Sequence, residues 1–505
     1  MSRGCVNAGD LFKLHRESGG IALIDTSGGN EPRQQTYREL DDACDAVARG
    51  LRGAGLVPGN TVGILSLNRR EFVETFFGVM RAGCTPVPIN VRLPLPTING
   101  IVTDADVKIV FADRANMERV PSPLIAVGFD DAGEAGYAHF KDPGPFSSDR
   151  PGDRSVALLP YTSGSTGAPK GVMLSHGGVI WINQTIARAR DLGVSDRSLI
   201  AAPLYHKNGL NTLKQTLTAG GTAVLMERFD TEAYLRVLID HKCTLLGGVP
   251  TMFVRILGEK NILMDADLSF VARIGFGSAP AADTLIEDLR AVFPNAVVEN
   301  NYGITEGGPV VFGPHPDGLP RPDNAVGYPL PDVEVRLETG QTDKEGILHV
   351  RNPGVMMGYH NQPEATADRL KDGWFNTGDI FRCDVDGFYT FVGRGDDMFV
   401  CGGENIHPGD VTTLLEQHPA VLQAAVVPLA DDIKGEIPCA FVVRRPGADV
   451  DSDEIKQFAL SNGPAYAHPR QVFFVDSMPL TGNAKIDMAA LKTRVPVADS
   501  GGLQG

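Results

Sequence analysis

The chain has 505 residues, more than one ordinary hydrophobic core can hold, and this length predicts two or more domains. Hydrophobic residues make up 42% and charged residues 21% of the sequence, proportions typical of a soluble globular protein. The net charge of −16 argues against non-specific binding to nucleic acid or to an anionic membrane. Anionic substrates must therefore be bound by local groups of donors.

Seven cysteines are scattered along the chain without a CxxC pair or a metal-like cluster. This distribution is typical of a reducing cytoplasm, where thiols serve as small core residues. The N-terminus lacks the basic and then apolar pattern of a signal peptide, and no apolar run is long enough to span a bilayer. We therefore expect a cytoplasmic protein without stable membrane insertion, and the sequence leaves open whether it forms a homodimer.

The first half of the chain alternates between predicted helices and strands. Apolar residues recur at helical spacing over 40–51, and a Gly-Asn break precedes a predicted strand over 61–65. A second helix over 72–80 leads to a strand at 84–88, and further strands follow at 222–226, 244–246 and 296–298. Such βαβ units predict a largely parallel sheet with helices on both faces.

The pattern changes near residue 325, where short β-rich segments such as 333–337 and 346–350 alternate with Gly and Pro turns. The predicted fold class is α/β. A large N-terminal domain over 1–395 combines helix-covered, mostly parallel sheets with a small antiparallel β unit. A smaller, mobile α+β domain follows over 396–495. Residues 496–505 are expected to be a disordered tail.

The stretch Tyr161-Thr-Ser-Gly-Ser-Thr-Gly-Ala-Pro-Lys-Gly171 is the most informative part of the sequence. Its backbone N–H groups, its hydroxyls and the Lys170 cation predict a cradle for polyphosphate. It is not a Walker A loop, because the lysine is followed by Gly171 and not by Ser or Thr. A flexible surface linker, the alternative, needs neither a lysine nor the apolar lead-in at 156–159.

This stretch resembles the phosphate loop of the AMP-forming acyl-CoA synthetases, in the superfamily that also contains firefly luciferase and nonribosomal peptide adenylation domains. Further signatures of the family follow in the family's order up to residue 487. The resemblance implies that one set of residues binds ATP, namely Thr162, Ser163, Gly164, Ser165, Thr166, Gly167 and Lys170.

The stretch Asn300-Asn-Tyr-Gly-Ile-Thr-Glu306 follows a predicted strand end, where open α/β sheets place their ligands. Tyr302 can stack on a base, the amide of Asn300 or Asn301 can hydrogen-bond it, and Glu306 can hold Mg²⁺ beside phosphate oxygens. An ordinary turn with an exposed glutamate is the alternative. The stretch is similar to the family's Tyr-Gly-x-Thr-Glu motif, which implies that Thr305 and Glu306 face the phosphates and Mg²⁺ and that Gly303 belongs to the nucleotide site.

Two further stretches complete the expected nucleotide site. Gly275-Phe-Gly-Ser-Ala-Pro280 is either a tight strand-to-helix turn or a small-residue platform, and both can hold at once. In similar enzymes such a platform contacts adenine or the acyl group. The resemblance implies that the nucleotide site includes Gly277, Ser278, Ala279 and Pro280. Asp379 ends Trp374-Phe-Asn-Thr-Gly-Asp379, and an ionised acceptor suits both ribose hydroxyls, although an isolated Thr-Gly-Asp is commonplace. Its position before Arg394 resembles the family's ribose-binding pair.

The C-terminal part carries three family-like segments. Asp396 lies in Gly393-Arg-Gly-Asp-Asp397, which is either a polar linker or the hinge about which the C-terminal domain turns. Gly402 and Gly403 resemble the loop that lines the pantetheine tunnel, although Gly409-Asp410 departs from the family pattern. Lys485 resembles the catalytic lysine that neutralises charge between the acid and the α-phosphate, whereas a lone lysine here would simply be solvated.

Coenzyme A contacts and the acyl pocket are also implied by the resemblance. Tyr466, His468 and Arg470 match a coenzyme A segment in which Ala467 replaces the usual lysine, so Lys434 is a further phosphate candidate. His206 resembles the residue that gates passage between acid and thiol, with a hydrogen-bonded core histidine as the alternative. The expected acyl pocket also includes Lys207, Arg255, Gly307 and Gly308. Arg255 resembles a position that holds a second carboxylate in malonyl-CoA synthetases, unless it pairs with a surface carboxylate.

The resemblance implies an AMP-forming acid–thiol ligase that converts a carboxylic acid, ATP and coenzyme A into an acyl-CoA, AMP and diphosphate through an acyl-adenylate. The acid is either aromatic, aliphatic or dicarboxylic. An adenylating enzyme that loads a carrier protein in trans is the alternative. A luciferase-like oxygenase shares the first half-reaction. A non-enzymatic nucleotide-binding module would not be expected to keep Lys170, Glu306, Asp379, Arg394 and Lys485 together.

Overall fold

The computed structural model describes residues 6–28, 31–152, 154–163, 169–277, 283–308, 311–339, 344–395, 397–401, 404–431, 434–481 and 486–494. None of the helices in these ranges combines the length and the hydropathy that crossing a membrane requires.

The first 150 residues contribute a four-stranded parallel sheet and the edge of a larger one. The elements are β1 (Ile21–Asp25), β2 (Arg33–Thr36), α1 (Tyr37–Gly53), β3 (Thr61–Leu65), α2 (Arg70–Arg81), β4 (Thr85–Pro88), α3 (Leu95–Asp104), β5 (Val107–Ala112), β6 (Ile125–Gly128) and α4 (Tyr137–Phe140). Helix α1 begins at a capping box of Thr36 and Glu39, a device that contributes about 1 kcal/mol. Strands β4, β3, β5 and β6 pair in that order, all parallel.

The next segment completes the main sheet. Its elements are β7 (Val156–Leu158), β8 (Tyr161–Ser163), β9 (Pro169–Ser175), α5 (His176–Ala189), β10 (Arg197–Ile200), α6 (Lys207–Ala219), β11 (Thr222–Leu225), α7 (Thr231–Asp240), β12 (Leu245–Gly248), α8 (Pro250–Gly258), α9 (Lys260–Met264), β13 (Arg273–Gly277), α10 (Asp283–Val292) and β14 (Val297–Asn301). The main sheet has the order β14-β13-β12-β10-β11-β1-β2, and only the β1–β2 pair is antiparallel.

An antiparallel sheet follows, as the sequence predicts. Its elements are β15 (Phe312–Gly313), β16 (Ala325–Pro329), β17 (Glu334–Thr339), β18 (Glu345–Arg351), β19 (Gly358–Tyr359), α11 (Pro363–Arg369), β20 (Leu370–Lys371), β21 (Trp374–Cys383) and β22 (Tyr389–Arg394). Strand β19 leaves this sheet and pairs with β9, so the segment around Tyr359 reaches the β8–β9 hairpin.

The remaining described elements form a separate five-stranded sheet with its own hydrophobic core. They are β23 (Phe399–Cys401), β24 (Glu404–Ile406), α12 (Pro408–Glu416), β25 (Val421–Asp431), β26 (Gly435–Arg444), α13 (Ser452–Asn462), β27 (Gln471–Phe474) and α14 (Met488–Arg494). The predicted fold class, with mostly parallel sheets, an antiparallel unit and an α+β portion, is confirmed. The domain boundary at 395/396 and the mobility of the second domain stay predictions.

Candidate active site

The β8–β9 hairpin places the loop lysine beside the predicted metal ligand. Thr162 and Lys170 lie directly opposite each other in its register. The Thr162 hydroxyl donates to Oε1 of Glu306 over 3.2 Å, and the Tyr359 hydroxyl donates to the same oxygen over 3.3 Å. The Lys170 ammonium lies 5.3 Å from the centroid of the Tyr359 ring. Gly164, Ser165, Thr166 and Gly167 lie outside the described residues, as does the side chain of Ser163.

Glu306 has the properties of a Mg²⁺ ligand. Its side chain is buried, with 8% of the residue exposed, and neutral hydroxyls bind its carboxylate. Within the described ranges no group of three or more His, Cys, Asp or Glu side chains could hold a metal ion by itself. A cation at Glu306 would therefore take its remaining oxygen ligands from substrate phosphates and water, which is the arrangement that Mg²⁺ prefers.

Asp379 and Arg394 form a second part of the site. They are register partners on β21 and β22, and Nη1 of Arg394 lies 3.7 Å from Oδ1 of Asp379. Oδ2 of Asp379 accepts a 2.6 Å hydrogen bond from the Tyr302 hydroxyl. Burial and the neighbouring Asp379 carboxylate raise the pKa of Tyr302, so that the hydroxyl remains a donor. Asp379 lies inside a strand, next to the left-handed Gly378 (φ +73°), and not in an isolated turn.

The two asparagines before Tyr302 point to opposite faces of β14, because side chains alternate along a strand. Asn300 is buried and its amide donates to the carbonyl of Asp323 over 2.8 Å. Asn301 lies on the other face and accepts a hydrogen bond from Arg190. Of the two amides predicted as candidates for base recognition, the Asn300 amide therefore already makes a hydrogen bond within the protein. The Tyr302 ring packs edge-on against Phe381 at 4.7 Å, and its stacking on a base stays a prediction.

A cavity that we call the sheet cavity lies between helix α6 and one face of the main sheet. The face is made by alternate residues of β12, β13 and β14, among them Gly247, Gly275, Gly277 and Asn301. A Cβ at Gly275 would lie 2.6 Å from Nδ2 of Asn301, so only glycine leaves the groove open there. The predicted pocket residue Lys207 lies in its wall and donates to the carbonyl of Gly303.

A second cavity lies on the other side of α6, against α5 and the β7–β9 sheet. Its wall includes Thr305, Tyr205, His206 and Lys207, so Lys207 borders both cavities. His206 is the N-cap residue of α6 and directly precedes Lys207. Lys214 closes the far wall of this second cavity and is 2% exposed. Lys214 was not predicted from the sequence, because a lysine in a helical pattern normally faces solvent.

Three residues expected in the acyl pocket have other contacts in the described structure. Arg255 is exposed and its guanidinium lies 5.5 Å from the centroid of the Phe229 ring, because α8 buries its opposite side in the core. A Cβ at Gly307 would meet Val350 and Phe375 at 3.0 Å or less, so this glycine packs against the antiparallel sheet. Gly308 (φ +108°) faces Asn352. None of the three lines either of these two cavities, and their assignment to the acyl pocket stays a prediction.

Several of the predicted site residues cannot be located in the described part of the chain. Ser278, Ala279, Pro280, Asp396, Gly402, Gly403 and Lys485 lie outside the described residues. Tyr466 is exposed, and Arg470 contacts the imidazole of His468. Burial lowers the pKa of His468, and the neighbouring cations lower it further. Lys434 is exposed nearby, and the coenzyme A contacts stay predictions.

Comparison with known proteins identifies two matching families. The family described as AMP-binding enzyme matches residues 13–360, and its C-terminal domain family matches residues 411–485. A feruloyl-CoA synthase of Amycolatopsis sp is 35% identical over 466 residues, which cover 91% of this chain and 94% of that protein. A 4-coumarate–CoA ligase of Solanum tuberosum is 33% identical over 510 residues, with 94% and 90% coverage.

A solved structure with the same fold contains a bound acyl-adenylate. It is an o-succinylbenzoate CoA synthetase of Bacillus subtilis in complex with its acyl-adenylate intermediate. The TM-score is 0.81 at 27% identity, covering 96% of this chain and 98% of that chain.

Proposed function

We propose, from the premise that this chain belongs to the AMP-binding enzyme family, that both half-reactions of a carboxylate–CoA ligase share the site around Glu306 and Asp379. The chain is an AMP-forming ligase of the acyl-CoA or aryl-CoA type. The observation that carries the finer proposal is that one short segment, 302–306, contacts both other parts of the site. Thr162 of the loop strand donates to Glu306, and Tyr302 donates to Asp379 of the Asp379–Arg394 pair. Each part of the site suits a different part of ATP.

The described residues have separate tasks in binding ATP. Asp379 accepts hydrogen bonds from the ribose hydroxyls, and the Tyr302 hydroxyl fixes the orientation of its carboxylate. Lys170 binds phosphate oxygens at the hairpin mouth. Glu306, with the Thr162 hydroxyl beside it, holds Mg²⁺. When bound, Mg²⁺ neutralises phosphate charge.

Each half of the reaction forms one bond and breaks one bond. An oxygen of the acid's carboxylate attacks the α-phosphorus of ATP and diphosphate leaves, which gives the acyl-adenylate. The thiolate sulfur of coenzyme A then attacks the acyl carbon and AMP leaves. Water would hydrolyse the adenylate, so the site must exclude it. We place Lys485 at the first step only, with a turn of the C-terminal domain about Asp396 removing it before the second.

The two cavities support separate routes for acid and thiol. The sheet cavity runs along strand glycines and suits an extended acyl group. The second cavity reaches Thr305 and His206 from the other side of α6. We assign the acid to the sheet cavity and the pantetheine thiol to the second cavity. His206, which directly precedes the Lys207 that borders both cavities, then gates contact between thiol and adenylate.

The relatives suggest aromatic acids of the hydroxycinnamate type as the first to test. Acid-dependent exchange of diphosphate into ATP, measured over ferulate, 4-coumarate, benzoate, hexanoate and malonate, tests the first half-reaction. Thioester formation with free coenzyme A, against the same assay with a phosphopantetheinylated carrier protein, tests the acceptor. Absence of exchange with every acid would contradict the proposal. Transfer to the carrier protein alone would favour the adenylating enzyme that works in trans.

The ribose assignment predicts a specific defect for Asp379→Asn. The variant should raise the KM for ATP about tenfold to a hundredfold, since hydrogen bonds to a charged acceptor contribute about 1.5–3 kcal/mol. Initial rates at varied ATP measure this change. Tyr302→Phe is the matched control, because it removes only the hydroxyl that orients Asp379 and should raise the KM less than tenfold. An unchanged KM in Asp379→Asn would remove Asp379 from the ribose site.

A further inference from the structure

The far end of the sheet cavity is cationic. Arg190 and Arg273 both line the cavity there. Nη1 of Arg273 lies 2.6 Å from Oε1 of Glu299, and Nη2 of Arg321 lies 3.5 Å from the same oxygen. Arg190 donates to Oδ1 of Asn301, a neutral acceptor. Three guanidiniums thus surround one carboxylate.

The next acidic neighbour, Asp323, interacts with Arg321 and offsets only part of the excess positive charge. Asp323 lies beside this group, but it binds Arg290 through two hydrogen bonds of 2.6 and 2.7 Å on the exposed side. Burial raises the pKa of Glu299, but the three arginines outweigh burial and hold the pKa below its usual value. Burial lowers the pKa of Arg190, and repulsion from Arg273 and Arg321 lowers it further. Binding of a further anion would therefore lower the electrostatic free energy of these arginines.

The cavity joins this cationic end to the reacting end. Gly277 ends β13 beside Asn208 of α6, and Arg273 begins the same strand four residues earlier. At about 3.3 Å per residue the two positions are about 13 Å apart. Gly275 and Gly247 keep the floor between them open, and the opposite wall carries Thr212 and Gln215. A narrow, elongated molecule fits this path.

We propose that the acid is an elongated dicarboxylate whose second carboxylate binds Arg190 and Arg273. The inference rests on the proposed function, because it places the first carboxylate beside ATP. Binding adds one negative charge to a group with three positive charges and one negative charge. A guanidinium pair also matches the two oxygens of a carboxylate in geometry. Arg255, where the sequence placed this contact, is replaced by cations inside the cavity.

The test compares pairs of acids that differ only at the far end. Suitable pairs are 4-carboxycinnamate with cinnamate, and suberate with octanoate. For the wild-type enzyme we expect kcat/KM at least tenfold higher for the dicarboxylate of one pair. Arg190→Met should lower kcat/KM for that dicarboxylate about tenfold to a hundredfold, the loss of a charge-assisted contact, and change the monocarboxylate less than threefold. This variant leaves Glu299 paired with Arg273 and Arg321.

The controls separate this inference from the proposed function. Arg255→Met removes an exposed arginine and should leave both acids of a pair unchanged. Arg273→Met is the second variant, with the same loss of preference expected. Equal kcat/KM for both acids of every pair in the wild type would overturn the inference while leaving the ligase function intact. An equal loss for both acids in Arg190→Met would also overturn it. Absence of activity with every acid would instead contradict the proposed function.

Discussion

Replacing Lys485 with methionine should lower the rate of acyl-adenylate formation about a hundredfold to a thousandfold. Charge develops on the carboxylate and α-phosphate oxygens as the first bond forms, and a preorganised cation there contributes several kcal/mol. Acid-dependent diphosphate exchange measures this half-reaction directly. The second half-reaction should survive, because the proposed domain movement withdraws Lys485 before coenzyme A attacks. Conversion of a synthetic acyl-adenylate to acyl-CoA measures it separately.

Lys492→Met is the matched control for this experiment. Lys492 is exposed on α14, seven positions after Lys485, and should leave both rates unchanged. A Lys485→Met enzyme that exchanges diphosphate at the wild-type rate would contradict the catalytic role. Equal losses in both half-reactions would contradict the alternation, since one lysine would then serve both steps.

The sequence predicted those parts of the fold and site that depend on local pattern. Strand ends at Asn301 and Gly277 could be located because open sheets collect ligands there, and Glu306 and Asp379 lie in short motifs. Which side chains lie on which face of a strand was not predicted. Asn300 and Asn301 are neighbours, yet one is used inside the fold and the other borders the cavity, and only the register distinguishes them.

Residues that are far apart in the sequence and meet in the fold could not be predicted from motif spacing. Arg190 is the C-cap residue of α5 and Arg273 begins β13. They meet at one cavity only because the crossover helices return the chain to the same sheet. The glycines of β12 and β13 were a usable signal, since glycine within a strand often marks close approach by a ligand. For Arg255 the sequence could not decide between a pocket residue and a surface residue, because its helix position does not reveal which side faces the core.

Lys214 leads to the largest expected change in stability. Its side chain is buried beside apolar residues of the second cavity, Leu174, Val179 and Ile182, and burial lowers its pKa to about 7. The folded protein therefore disfavours an ammonium that the unfolded chain accepts readily. Lys214→Met keeps nearly the same length without the charge. At pH 7 we expect this variant to unfold about 5 °C above the wild type, from roughly 4 kcal/mol of relieved burial.

The stability gain of Lys214→Met over the wild type should fall as the pH rises. Between pH 7 and about 10.5 the unfolded chain binds more protons at Lys214 than the folded chain, so wild-type stability rises with pH there. The difference between variant and wild type should shrink by about 1.4 kcal/mol per pH unit and vanish near the ordinary lysine pKa. Lys260→Met, at an exposed helix position, controls for general loss of charge. A difference that stays constant from pH 7 to 10 would mean that Lys214 is ionised in the fold. Its ammonium would then be stabilised within the second cavity, and that cavity would suit an anionic group better than the neutral pantetheine arm.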